Sequence, residues 1–172
     1  MTATSFLYDL AQEILDTAED SLSQARTGHP APNRVNVAWG EPPADECCGE
    51  GGQLTIHLDD DIAVTHATRG NQPCMILPTA SFVITLFRCH AGSSDNEPIP
   101  GSEVLDADAK SLMADLWALL TGIYDAIADA SLFADIDCAT VTVGPAATLT
   151  PEGGCAGLTV RLSVALSDTG PT

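Results

Sequence analysis

SFVITLFRC, Ser81–Cys89, is the stretch whose reading decides the fold. It is β-branched and aromatic with no breaker, which predicts a strand. Its apolar residues fall on both alternating faces, so the strand belongs in the middle of a sheet with cover on either side. Upstream, Gln53–Leu58 alternates Leu54, Ile56 and Leu58 with Gln53, Thr55 and His57, the pattern of a half-buried strand with His57 at the surface. Arg34–Trp39 predicts another short strand with Val35, Val37 and Trp39 on one side. Between these lie a loop over Gly40–Gly52, a turn or strand edge at Asp59–Asp61, and an irregular stretch from about His66 to Pro78 with two prolines and Arg69-Gly70-Asn71.

Two amphipathic helices flank this strand-rich centre. The first runs from about Thr4 or Ser5 to Ala25, with Leu7, Leu10, Ile14, Leu15, Ala18 and Leu22 on one face, and ends before Gly28, Pro30 and Pro32. A polar loop over Gly92–Gly101 precedes the second, from about Asp106 to Ala130. Leu112, Met113, Leu116, Leu119, Leu120, Ile123 and Ile127 are its expected buried face, and Asp108, Asp115, Asp125 and Asp129 its outer one. Gly122 costs such a helix about 1 kcal/mol relative to alanine, which points to close packing there. Ala139–Val143 and Leu158–Leu166 read as closing strands, joined by a loop with Pro145 and Pro151. The order α-β-β-β-α-β-β lacks βαβ alternation and predicts one α+β domain over residues 1–172, a mostly antiparallel sheet with two helices packed on it.

The charge is lopsided: 24 acidic residues face six basic ones over 172 residues, for a net charge of −18. Tight nucleic-acid binding needs clustered cations that release counterions from phosphate, and Arg26, Arg34, Arg69, Arg88, Lys110 and Arg161 form no stripe. No uninterrupted apolar run reaches the length of a membrane span. Asp9, Glu13 and Asp16 sit where a secretion signal would be apolar, so synthesis in a cytoplasm without an export signal is expected.

Motifs for catalysis are missing. His29, His57, His66 and His90 fall in no nucleophile-elbow or metalloprotease pattern. Gly49-Glu50-Gly51-Gly52 has the glycines of a phosphate loop, but it has a glutamate and no lysine, and reads as a tight turn feeding a strand. Asp59–Asp61 lacks the alternating ligands and terminal glutamate of a calcium loop and reads as a solvated turn. The expectation is therefore no enzyme, no cofactor and no catalytic residue.

Six cysteines, Cys47, Cys48, Cys74, Cys89, Cys138 and Cys155, include no Cys-x-x-Cys pair. If the strands Gln53–Leu58 and Ser81–Cys89 pair antiparallel, Cys48 and Cys89 meet at one sheet edge, and Cys155 can join them. Cys47, Cys48, Cys89 and Cys155, with His90 nearby, then form a structural cluster whose state is open between thiols, disulfides and tetrahedral zinc. Adjacent Cys47 and Cys48 point opposite ways in extended chain, which counts against both serving one site.

These residues also carry a family likeness. Cys47–Leu54 (Cys-Cys-Gly, then Gln-Leu opening a strand), Pro73–Cys74, Arg88–Cys89 and Pro151–Gly157 (Pro-Glu-Gly-Gly-Cys-Ala-Gly) span most of the chain's middle and end. In them the sequence resembles a group of head-to-tail connector proteins from tailed phages of actinobacteria. The element order is similar to that of lambda-type tail terminators, whose subunits form a hexameric ring capping the tail tube. The resemblance implies a structural virion protein of the phage neck, assembled in the host cytoplasm. Its implied partners are further copies of itself, the major tail tube protein and the head-tail connector or stopper proteins. It supplies no catalytic residue. The acidity fits this role independently, since a ring of six such chains carries six times the charge of one and repels the phosphate of DNA passing through it. The alternatives are a head-to-tail stopper or other connector and, from a different class, a metal- or small-molecule-binding module.

Overall fold

The computed structural model describes residues 3–25, 27–42, 51–59, 63–69, 72–90, 100–129, 131–133, 138–152 and 154–166. Helix α1 (Ala3–Gln24) leads into β1 (Arg34–Ala38), β2 (Gln53–Leu58), β3 (Ala63–Arg69) and β4 (Gln72–Cys89). Helix α2 (Ser102–Ala128), β5 (Cys138–Glu152) and β6 (Cys155–Leu166) follow. The architecture is α+β, with a mixed, mostly antiparallel sheet in the order β1-β2-β4-β6-β5. Among the described strands, only β1 and β2 run parallel. Strand β4 is central, as its two apolar faces require: β2 pairs with it from Phe82 to Phe87 and β6 from Thr79 to Cys89.

Both helices cover one face of this sheet. Leu10, Ile14, Leu15, Ala18 and Leu22 of α1 and Leu119 and Ile123 of α2 pack with Leu54, Ile56, Phe82, Ile84, Leu86, Leu158, Val160, Leu162 and Val164. At about 25 cal/mol per Å² of apolar surface, this core is the main source of stability. The opposite face is buried over its β2–β4 part as well, at Gln53, Thr55, His57, Thr85 and Phe87. His57 is therefore a buried residue and not a surface one. The polar alternation of β2 marks a second covered face, with Thr55 Oγ1 donating to the Thr85 carbonyl at 3.5 Å.

The stretch expected to be irregular between His66 and Pro78 is instead a hairpin, β3 against the first half of β4. Prolines read there as breakers are tolerated because β4 has one partner from Gln72 to Pro78; β6 joins only at Thr79. The closing hairpin is likewise longer than its alternation suggested. Register shifts between Val143 and Ala146 and between Leu149 and Glu152 absorb Pro145 and the irregular turn approach as bulges. Trp39 does not join Val35 and Val37: β1 ends at Ala38, and Trp39 stands fully exposed just beyond it.

The helices touch where Gly122 and Ser21 meet. A Cβ on Gly122 would lie 1.8 Å from Ser21 Oγ and 2.5 Å from Ser21 Cβ, so the expected close packing is present. Gly122→Ala gains about 1 kcal/mol of helix propensity but overpacks this crossing at a cost of about 1–3 kcal/mol. Chemical denaturation should show a net loss of stability, and Ser21→Gly in the same chain should recover it.

Candidate functional site

The most constrained polar cluster lies at the end of β4 under α2. Arg88 falls on the helix-covered face, because it alternates with Phe87 and Cys89 on the other. There it is 2% exposed, and Asp115 of α2 is 0% exposed. Arg88 Nε donates to Asp115 Oδ2 at 2.9 Å and Nη2 to Oδ1 at 3.3 Å, a two-pronged pair. Nη1 donates to the carbonyl oxygens of Pro30, at 2.8 Å, and Gly51. His29 Nδ1 lies 2.8 Å from Asp115 Oδ2, so the tautomer protonated at Nδ1 donates to the same carboxylate.

Local backbone brings these groups together. Gly51 and Gly52 take φ of 98° and 77°, and a Cβ on either would sit 2.1 Å from a carbonyl oxygen, that of Ala31 or Phe87. Only glycine allows the turn to press against both segments and present the Gly51 carbonyl to Arg88. This agrees with the reading of these glycines as a tight turn into β2. All three guanidinium nitrogens are engaged by protein groups, so the cluster works as a brace joining β4, α2, the His29–Pro30 segment and the turn before β2.

Asp115 thus lies inside, where the sequence placed it on the outer face of α2, and Met113, expected inside, is 71% exposed. The helix is apolar over most of its circumference, so hydrophobic spacing alone does not choose the buried stripe. The waiting Arg88 chooses it. With positions 115, 119 and 123 turned inward, Met113, Trp117 and Tyr124 form an exposed apolar stripe. Over its most apolar 18-residue window, with mean hydropathy 1.2, α2 meets the length and composition of a membrane span, yet only 17% of that window is buried here. Beside the stripe, α2 and the β5–β6 hairpin enclose a cleft of about 420 Å³ lined by Leu112, Met113, Leu116, Leu149 and Leu158.

The cysteine cluster is placed in part. Cys89 and Cys155 are register partners on β4 and β6, on the face away from the helices, as the antiparallel argument anticipates. Cys155 is buried and disulfide-bonded. Cys89 keeps its thiol at an exposed position, so it is not the other half of that bond. Cys47 and Cys48 lie outside the described residues. Of the states left open, a disulfide is the one present at Cys155. No group of three or more metal-ligating side chains occurs among the described residues. Near Cys89, His90 Nδ1 lies 3.2 Å from Asp108 Oδ2.

Two further cations are paired where they stand. Arg161 Nη2 meets Asp59 Oδ2 at 2.9 Å, and Lys110 Nζ meets Asp106 Oδ2 at 2.6 Å. Asp59 is thereby a strand-edge ion-pair partner; Asp60 and Asp61 lie outside the described residues. No family model and no curated protein matches this chain.

Two outcomes are expected. Asp115→Ala should cost about 3–5 kcal/mol in denaturant titration, because it strands a buried guanidinium, whereas Arg88→Met with Asp115→Leu should cost much less. Non-reducing peptide mapping should link Cys155 to a cysteine other than Cys89, and Cys155→Ala should lose about 2–4 kcal/mol relative to the oxidised wild type.

Proposed function

We propose that this chain is a structural subunit of a tailed-phage neck, a tail terminator that forms a ring at the top of the tail tube, joins it to the head connector and lets DNA pass. The observation that carries the reading is the outer face of α2. On a chain of net charge −18, the helix from Ser111 to Tyr124 contains one charged residue, Asp115, and that one is buried. What remains outside is Met113, Trp117 and Tyr124, an apolar surface of the kind that marks a protein contact. Large acidic charge elsewhere and a concentrated apolar strip suit a protein that assembles through one surface and repels phosphate with the rest.

The motifs in which the sequence resembles actinobacteriophage connector proteins suggest the biological setting, and the fold favours the terminator over the stopper. A stopper is a small β-barrel with little helix, while this sheet is open and carries both long helices on one face. The brace at Arg88 supports a scaffold role, because this buried guanidinium donates to both Asp115 oxygens and to the Pro30 and Gly51 carbonyls and so ties separate segments of the chain together.

Three of the six cations fit passage without grip. Arg88 is buried, and Lys110 and Arg161 are each matched by a carboxylate. Duplex DNA titrated against the purified protein at about 50 mM salt, where phosphate contacts are strongest, should show no binding at micromolar concentration. Micromolar affinity under those conditions would contradict a repelling channel wall.

A further inference from the structure

Trp39 is 100% exposed and stands just past the end of β1, followed by Gly40 with φ 81°. A bare indole on a −18 chain calls for an occupant of matching shape and low charge, and the chain itself offers one. The cleft between α2 and the β5–β6 hairpin is apolar, holds about 420 Å³, and has His90 as the one ionisable residue among its described lining. That volume lies within the roughly 300–1,000 Å³ of pockets that enclose ring-bearing ligands. We propose that Trp39 of one copy seats in this cleft of a second copy, so that subunits join head to tail.

Three further features select a second copy as the occupant. Strands β1 and β5 are the two ends of the sheet order, so knob and cleft sit at opposite edges of one subunit. A surface pair of this kind is heterologous: each joint leaves one knob and one cleft unused, and the chain of joints ends only when the rotation closes a ring. Charge agrees as well. The start of α2 beside the cleft carries Glu103, Asp106 and Asp108 against Lys110, whereas β1 carries Arg34 and no acid. The one acid within five residues of Trp39 is Glu41. Two strongly acidic copies can approach closely only where carboxylates are sparse on at least one side, and neither β1 nor the described lining of the cleft carries one.

This joint deepens the neck-ring reading and rests on it for its biological meaning, but it is tested separately, by sedimentation of the purified full-length chain. Wild type should associate as concentration rises. Trp39→Ala and Met113→Glu should each weaken association by about 30-fold or more, the effect of losing an interface anchor. Both side chains are exposed, so unchanged thermal melting is the control for folding. An equimolar mixture of the two variants decides the geometry. The Trp39→Ala chain keeps its cleft and the Met113→Glu chain its tryptophan, so the mixture should form a one-to-one dimer and go no further. Wild type that stays monomeric up to about 1 mM, Trp39→Ala that associates like wild type, or variants that ignore each other would each overturn the joint. Association that survives both substitutions removes this surface pair and leaves the neck-ring reading to be judged on virions.

Discussion

The buried pair of Arg88 and Asp115 sets the positions on which the rest of the structure depends. Helix α2 has apolar residues around most of its girth, and hydrophobic burial alone would let it lie on the sheet in several rotations of similar energy. A carboxylate with no exposure removes that freedom, because any other rotation leaves the Arg88 charge buried and unpaired. The same guanidinium holds the Pro30 and Gly51 carbonyls, so the connection after α1 and the turn before β2 are tied to the end of β4. Register of β1 against β2, and with it the position of Trp39 at the sheet edge, follows from that tie.

Once α2 is fixed in this rotation, its apolar surplus must face outward. Met113, Trp117 and Tyr124 are exposed because 115, 119 and 123 are not. An ion pair of little net value to stability therefore has a second effect, which is to choose the surface the subunit presents. A buried ionic group retained for specificity is a known use of such pairs. In this chain the specificity is that of an outer face, apolar on an otherwise acidic body, and assembly through that face is the role proposed for it. The disulfide-bonded Cys155 sits on the other side of the sheet, leaving the helix face unencumbered.

Much of the fold was legible in the residues. The doubly apolar run Ser81–Cys89 marked the central strand, the amphipathic spacing of α1 marked its buried side, and Gly122 announced a close helix crossing. Prolines misled at Pro73, Pro78 and Pro145, since a strand with one partner, or a bulge, accommodates what a central strand would not. The candidate site was less legible. Asp115 carries no sequence mark that separates it from Asp125 or Asp129, because what draws it inward is an arginine 27 positions away. Arg88 did have a signal: a charge in the parity of Phe82, Ile84 and Leu86 in the most buried strand demands a partner. His57 was misread because alternation reports two faces without saying what covers the second. Trp39 was assigned to a strand that stops one residue earlier.

The neck role proposed for this chain is tested most directly by cryo-electron microscopy of virions purified from cells that produce it. The account predicts density for this fold as a closed six-fold layer between the head connector and the tail tube, with the Met113–Trp117 face of α2 buried between neighbouring subunits. Particles that lack the chain, or that carry it in a layer of another symmetry or away from the neck, would contradict it.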